Sequence, residues 1–192
     1  MKSLINYINE KLIVNKNYKP YTYVPKSFDE LRNIVIDRYN KLGPGTKQNP
    51  IDFNDIDISN IDSFYSSNRD IGIFEGTKCK FIDISDRDVS NVKSMRHMFY
   101  MCEELESVGD LSKWDVSNVM SMRGMFSDCS KLKSFGDISS WDVSNVTDMG
   151  FMFKYCESFN QDISNWNVSN VTFMSFMFFG CPIKEKYKPK FK

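Results

Sequence analysis

A tandem repeat fills the last two thirds of this 192-residue chain and limits the folds it can adopt. Each copy begins at an Asp-apolar-(Ser/Asn) triplet. The triplets start at Asp52, Asp83, Asp110, Asp137 and Asp162, at spacings of 31, 27, 27 and 25 residues. A period in this range is typical of proteins in which each copy buries its apolar face against its neighbours.

Two phrases recur within each repeat, Trp-Asp-Val-Ser-Asn and then Met-x-x-Met-Phe-x-x-Cys. In residues 149–156 the second phrase places Met, Met, Phe and Cys at i, i+3, i+4 and i+7, which is the spacing of one helix face. The apolar residues after the cysteine, such as Leu105 and Val108, predict a short strand. The pattern therefore predicts an α/β fold, a solenoid of about five strand-turn-helix coils.

These phrases resemble the BspA-like leucine-rich-repeat family, in the subclass with Trp-Asp-Val-Ser-Asn-Val followed by Met-x-x-Met-Phe-x-x-Cys. The match is strong over 83–181 and weak over 51–82, with Arg87 at the Trp position and Asn167 at the Asp position as departures. The resemblance implies a right-handed leucine-rich-repeat-like solenoid and a protein-binding role. Members are often bacterial surface proteins with a signal peptide or lipid anchor.

The first fifty residues are not repetitive. Ser27 and Glu30 form a capping box, and Gly43 is placed to end a helix. We predict a helical N-terminal cap over 1–50, with a candidate tag helix at 1–13 and a cap helix at 28–42, then the repeat solenoid at 51–181 and a basic tail at 182–192.

Charge is segregated along the chain. Residues 1–50 carry nine Lys/Arg and four Asp/Glu, 51–180 carry eleven and twenty, and 181–192 carry five Lys and one Glu. An acidic body argues against nucleic acid as a partner. The sequence has no run of about 18 apolar residues, so we expect no membrane span. The N-terminus shows no secretory signal. We expect a cytoplasmic protein, with the virion as the alternative.

The polar columns of the repeat fit structural roles better than chemistry. The Asp column fits turns and helix caps better than calcium, no Cys-x-x-Cys suggests zinc, and no catalytic motif is present. We therefore expect no metal, no cofactor and no enzymatic activity. Stacked cysteines could reach disulfide distance, but buried reduced thiols fit the odd count better. The predicted structural ladders are Asn91, Asn118, Asn145 and Asn170, and Cys102, Cys129, Cys156 and Cys181.

Binding specificity is expected at the positions that vary inside the strict repeat. The candidate interaction surface is His97, Arg123, Phe151, Tyr155, Phe173, Phe176 and Phe179. An exposed aromatic patch would mark an interface, whereas packing of these rings against Tyr187 to Phe191 would make them a C-terminal cap.

The leading hypothesis for function is a non-enzymatic protein-protein interaction module with a protein partner of unknown identity. The first ten residues are also similar to N-terminal tags of bacteriophage proteins packaged into heads, so one alternative is a phage-encoded structural or virion protein. Another is an intracellular inhibitor or decoy that binds a basic partner through the acidic surface.

Overall fold

The computed structural model describes residues 21–133 and 135–191. Over these residues there is one α-helix, and the strands are short. The elements are α1 (Phe28–Leu42), β1 (Ile51–Asp52), β2 (Tyr65–Ser66), β3 (Ile71–Gly72), β4 (Ile82–Asp83) and a 3₁₀ helix (Glu185–Tyr187). The candidate tag helix at 1–13 lies outside the described residues. No helix in the described part of the chain combines the length and apolar character needed to cross a bilayer.

Helix α1 forms over the residues that the sequence predicts. Its N-cap is Ser27, whose hydroxyl accepts a hydrogen bond from the Glu30 N–H at 3.2 Å, while the Glu30 carboxylate accepts one from the Lys26 N–H at 2.8 Å. At the other end Gly43 has φ of 73° and its N–H donates to the Tyr39 carbonyl at 2.8 Å, a left-handed conformation that glycine adopts at little cost. The helix is therefore specified locally at both ends.

Consecutive repeats lie beside one another through parallel pairing. Strands β1 and β4 pair in parallel, and β2 and β3 form a separate antiparallel pair. Further along the chain the pairing is reduced to single parallel bridges. These join Ser63 to Ser94, Ser94 to Ser121, Ser121 to Asp148, and Asp148 to Phe173.

The predicted right-handed, leucine-rich-repeat-like solenoid of strand-turn-helix coils is wrong. Every Met-x-x-Met-Phe-x-x-Cys segment, which should have been a helix, is a run of turns, and α1 is the one α-helix of the described residues. The predicted strand of each repeat is also missing beyond residue 83, where isolated bridges take its place.

Backbone hydrogen bonding explains why these segments are not helical. The N–H of Met95 donates to the Ser121 carbonyl at 2.9 Å, and that of His97 to the Arg123 carbonyl at 2.9 Å. These donors therefore bond to the next repeat instead of to the i−4 carbonyl that a helix requires. His97 and Met101 also have φ of 53° and 56°, and left-handed residues cannot continue a right-handed helix.

The core is a set of stacked columns, one residue from each repeat. The rings of Phe99, Phe126, Phe153 and Phe178 stack at centroid distances of 5.5, 5.7 and 6.0 Å. Trp114, Trp141 and Trp166 stack at 6.5 and 6.2 Å. Each indole N–H donates to a carbonyl of the preceding repeat, as Trp141 does to Leu111 at 2.9 Å, so the buried rings are fully satisfied. The shared column positions hold the repeats in register.

Candidate interaction surface

The predicted surface residues lie on one side of the stacked turns, and we call this side the variable face. It runs from Tyr65 and His97 through Arg123 to Phe151 and the aromatic residues of the last repeat. Its members are linked by ring and cation contacts: His97 contacts Tyr65 at 5.7 Å between centroids, and the Arg123 guanidinium carbon lies 4.8 Å from the Phe151 centroid. All seven predicted residues belong to it, namely His97, Arg123, Phe151, Tyr155, Phe173, Phe176 and Phe179.

The variable face is built on left-handed backbone. Equivalent positions in four repeats are His97, Gly124, Phe151 and Phe176, with φ of 53°, 58°, 60° and 58°. A non-glycine residue in this conformation costs about 1–3 kcal/mol. Since Gly124 satisfies the same backbone geometry, folding does not require a side chain at this position. The imidazole and the two phenyl rings are therefore additions that the fold tolerates at a cost.

A groove of about 300 Å³ opens on the variable face beside Gly124. It lies between His97 and Phe151, at the repeat that has no side chain at the shared position. A Cβ on Gly124 would lie 2.6 Å from Cδ2 of His97, closer than real Cβ contacts come. Arg96, Arg123 and Lys154 are among the residues that line the groove.

The groove carries mixed charge with an excess of cations. Arg96 is 3.7 Å from Asp70, and Arg123 is 3.8 Å from Asp148. Lys154 makes no ion pair with any described residue, and its Nζ lies 4.9 Å from the Tyr155 ring centroid. Ring faces bind cations in this way. The groove therefore presents one free ammonium group and two loosely paired guanidinium groups.

His97 is held neutral by its surroundings. Burial, and then the nearby Arg96 charge, lower the pKa of His97 from its ordinary value of 6.5. Its Nδ1 is buried and has no hydrogen-bond partner among the described residues, while its ring stacks on Tyr100 at 4.8 Å. The imidazole therefore acts as an aromatic surface near neutral pH.

The last repeat carries most of the exposed aromatic area. Phe151 stacks on Phe176 at 5.6 Å, and Phe176 and Tyr155 each meet Phe179 edge-on. Phe176 is 58% exposed and Phe179 50%. The tail does not cover them, because Lys188 contacts the more buried Phe178 instead, at 5.8 Å. Packing against the tail therefore does not account for this patch.

The Asn and Cys columns bond between repeats. In each Asn the side-chain amide donates to a Ser carbonyl of the preceding repeat: Asn91 to Ser59, Asn118 to Ser90, Asn145 to Ser117 and Asn170 to Ser144, at 2.7–3.1 Å. All four thiols donate to Phe carbonyls of the preceding repeat. Cys102, Cys129 and Cys156 donate to Phe74, Phe99 and Phe126, which occupy one repeat position, whereas Cys181 donates to Phe159, at a different position.

Burial sets the chemistry of these thiols. All five cysteines are free thiols. Burial raises the pKa of Cys102 to about 12 and that of Cys129 and Cys156 well above the ordinary value. Since the thiolate is the reactive form, these groups are held in their unreactive state.

The Asp residues that recur in the repeats accept hydrogen bonds within turns. The Asp115 carboxylate accepts from the N–H and the hydroxyl of Ser117 at 3.1 and 2.7 Å, and these bonds lower its pKa. Asp142 accepts from the Ser144 N–H at 3.0 Å in the same way. Among the described residues, no group of three or more His, Cys, Asp or Glu side chains could hold a metal ion.

Sequence reasoning left several members of the variable face off the predicted surface. Arg96, Tyr100 and Lys154 line the groove beside the predicted residues, and Tyr65 contacts both His97 and Arg96. The repeat alignment contains a signal for three of them, because Arg96 occupies the position of Arg123, and Tyr100 and Lys154 occupy the position of Phe179. Tyr65 lies in the most divergent repeat, where its equivalent positions in the other repeats cannot be identified from the sequence.

The fold and this surface define a protein of tandem repeats with a turn-built body and a continuous aromatic and cationic face. A family model described as "Mycoplasma protein of unknown function, DUF285" matches residues 70–189. This is more than half of the chain, and the protein belongs to that family. No curated protein and no solved structure matches the chain.

Proposed function

We propose that this protein is a non-enzymatic protein-protein interaction module and that the variable face is its binding surface. The observation that carries the proposal is the use of His97, Phe151 and Phe176 at a left-handed position that Gly124 also fills. Large side chains kept at such a position, at a cost to stability, are a common feature of functional sites.

The composition of the face supports protein binding in particular. Aromatic residues and arginine are enriched at the centres of protein interfaces. Here Phe151 and Phe173 flank Arg123, whose guanidinium carbon lies 4.8 and 4.7 Å from their ring centroids, and Phe176 stacks on Phe151. The face thus offers large, preordered rings that lose little conformational entropy on binding.

The polar groups support a role without catalysis. The Asp115 and Asp142 carboxylates accept hydrogen bonds within turns, and the Cys129 and Cys156 thiols are buried donors to backbone carbonyls. His97 is a lone imidazole whose Nδ1 meets no acceptor or donor in the described part of the chain. We propose that these carboxylates and thiols support the fold and that the imidazole serves as part of the variable face.

Affinity capture with matched variants tests the proposal. Phe151→Gly/Phe176→Gly removes two rings at positions where glycine suits the backbone, so the variant should stay folded. Lys113→Ala, at an exposed residue outside the variable face, is the control. Specific partners should be retained by the wild type and the control and lost from the folded double variant. Equal capture by all three would contradict the proposal.

The two alternatives remain predictions. The virion hypothesis depends on residues 1–13, which lie outside the described residues. The inhibitor or decoy hypothesis depends on the acidic surface. Capture that weakens sharply between low and moderate salt, with a basic protein as the partner, would favour the decoy.

A further inference from the structure

Backbone hydrogen bonds from one Met-x-x-Met-Phe-x-x-Cys segment to the next run in one direction, although other groups of each repeat, such as the Thr172 N–H, donate to the preceding repeat. In the Met-x-x-Met-Phe-x-x-Cys segments, each repeat donates N–H groups to carbonyls of the repeat that follows. Four such bonds join the last two repeats: Met149 to Phe173, Phe151 to Ser175, Phe153 to Met177 and Tyr155 to Phe179, at 2.8–3.0 Å. Within this segment, the side of a repeat that faces the next one is therefore a row of donors.

In the last repeat the equivalent N–H groups have no acceptor among the described residues. The equivalent N–H groups belong to Met174, Phe176, Phe178 and Gly180, and we call them the donor row. None of the four donates to an acceptor within residues 21–133 or 135–191. The carbonyls of Met174, Phe176 and Phe178 are used within turns, by the N–H groups three residues on. The carbonyls of Ser175, Met177 and Phe179 accept from the preceding repeat, so the edge over residues 174–179 presents donors without free acceptors.

The opposite end of the molecule is closed. Helix α1 covers the first repeat, and Arg32 of that helix donates to the carbonyls of Gly72, Ile73 and Glu75 at 2.6, 2.9 and 2.9 Å. One guanidinium therefore occupies acceptors at this end, as expected of an edge protected from further pairing.

The C-terminal tail closes only part of its own end. Ile163 donates to the Tyr187 carbonyl at 3.0 Å, and Ile183 and Pro189 are buried. These contacts cover the Asp-Ile-Ser side of the last repeat and leave the donor row open. Beside the row, Met174, Phe176 and Phe179 are 38%, 58% and 50% exposed. The molecule therefore has one covered end and one half-covered end.

We propose that the donor row binds an extended, acidic polypeptide segment of a different protein, whose backbone carbonyls take the place of a further repeat. This inference rests on the proposed function and names the chemistry of the partner. Pairing through main-chain bonds at an open edge, with side chains adding specificity, is a recurrent mode of peptide recognition.

A second copy of this chain does not fit the row. Two donor rows cannot pair with each other, because neither supplies acceptors. The other end of the molecule cannot serve either, since Arg32 already occupies carbonyls there. The occupant must therefore supply free carbonyls from a different chain.

Charge complementarity argues that the occupant is acidic. Over residues 174–191 the chain has four lysines and one glutamate. Lys188 lies over Phe178, at 5.8 Å from its centroid, and so borders the donor row, while its ammonium group also pairs with Glu185 at 2.6 Å. The other three lysines of this stretch make no ion pair with a described residue. A row of unbonded N–H groups adds partial positive charge. Carboxylates on the segment would meet these lysines, and apolar residues between them would meet the exposed rings.

Nuclear magnetic resonance of the full chain, labelled with ¹⁵N, tests the inference. The probes are two blocked synthetic hexapeptides, one alternating Glu and Phe, the other alternating Lys and Phe. The acidic peptide should shift the amide protons of Met174, Phe176, Phe178 and Gly180 downfield and slow their hydrogen exchange by about tenfold or more. The amide of Phe151, already bonded to Ser175 at 3.0 Å, is the internal reference and should not change.

Three results would overturn the inference. Shifts confined to groove residues such as His97 and Arg123 would do so while leaving the proposed function standing. Equal effects of the two peptides, or none from either, would remove the acidic segment as occupant. Slow exchange of the four amides before any peptide is added would show that part of this chain outside the described residues already covers the row.

Discussion

The guanidinium carbon of Arg123 lies 4.8 Å from the centroid of the Phe151 ring, one repeat further along the chain. The same group lies 4.7 Å from the Phe173 centroid, so one cation holds two rings of the variable face. Arg123→Met should therefore lower the free energy of unfolding by about 1–2 kcal/mol, since each exposed cation–ring contact contributes about 0.5–1 kcal/mol.

Urea denaturation measures this loss, and Arg69→Met is the matched control. The Arg69 guanidinium pairs with Asp29 at 3.2 Å, and both side chains are more than half exposed. Such pairs contribute little, so the control should change by less than about 0.5 kcal/mol. Equal losses from the two variants would show that Arg123 does not order the rings.

Arg32 is predicted to be the main polar anchor of helix α1. Its three hydrogen bonds to the carbonyls of Gly72, Ile73 and Glu75 close the first repeat. Arg32→Met should destabilise the protein by about 2–4 kcal/mol, because it leaves partly buried acceptors without partners.

Lysine at position 32 should restore little of this stability, since an ammonium cannot reach three carbonyls in the fixed geometry of a guanidinium. Lys41→Met removes an exposed pair with Asp37 from the same helix and should leave the melting temperature close to that of the wild type. Thermal denaturation of the three variants measures these effects. An Arg32→Met variant that melts at the wild-type temperature would rule out the capping role of Arg32.

Arg87 occupies the position that holds Trp114, Trp141 and Trp166 in later repeats. Burial lowers its pKa to about 10, and its Nη1 is buried without a hydrogen-bond partner in the described part of the chain. Replacing a poorly satisfied buried charge with an apolar side chain often stabilises a protein. We expect Arg87→Met to raise the free energy of unfolding by about 1–2 kcal/mol.

A control at an exposed site separates this effect from added hydrophobicity. Lys113→Met, beside Trp114, should leave stability within about 0.5 kcal/mol of the wild type. Chemical denaturation is the measurement. Destabilisation by Arg87→Met would mean that the guanidinium contributes an interaction that outweighs its burial.

His97 should make stability depend on pH just below neutrality. Its folded pKa is lowered by burial and by Arg96, against the attraction of Asp70. A lowered pKa means that the folded state disfavours the proton, so stability is full above the ordinary value of 6.5 and falls as pH drops through it. His97→Phe, which copies Phe151 and Phe176, should remove this fall.

The comparison is made between about pH 7.5 and pH 5.5, where histidine titrates. The groups that face the imidazole are Asp70, Arg96, Arg123 and Asp148, with the Tyr65 and Tyr100 rings, and all of them are present in both proteins. Glu75 has a raised pKa and acts with the opposite sign, but it is present in both proteins. Parallel pH profiles would contradict the burial of His97.

Some of the architecture could be predicted from the sequence because its signals are local. The capping box at Ser27 and Glu30 and the glycine at 43 define the bounds of α1 with no tertiary information. The spacing of the repeats places the same residue type at each column, which is why Asn145 and Ser117 meet across 28 residues.

The prediction of a helix in each repeat is wrong for a physical reason. The spacing i, i+3, i+4, i+7 fits a helix face, but successive turns with a left-handed residue in each produce the same spacing. The hydrogen-bond partner of each N–H group decides between a helix and a run of turns. That partner lies in the next repeat, so the local spacing of apolar residues does not reveal it. The glycines at 124 and 180 were the available hint, since a glycine within a predicted helix suggests positive φ.

The variable face was partly predictable and the donor row was not. Residues such as Phe151 and Phe176 stand out because they vary within a strict repeat. The open N–H groups of Phe176 and Phe178 follow from the direction of bonding between repeats, which only the structure reveals.

Photo-cross-linking in the cell that produces this protein tests the central claim most directly. A photoreactive phenylalanine analogue replaces Phe176 in one variant and Lys113 in another. We predict a discrete adduct with a second protein from position 176 and none from position 113. No adduct from position 176, or the same adducts from both positions, would contradict the claim that the variable face is a binding surface.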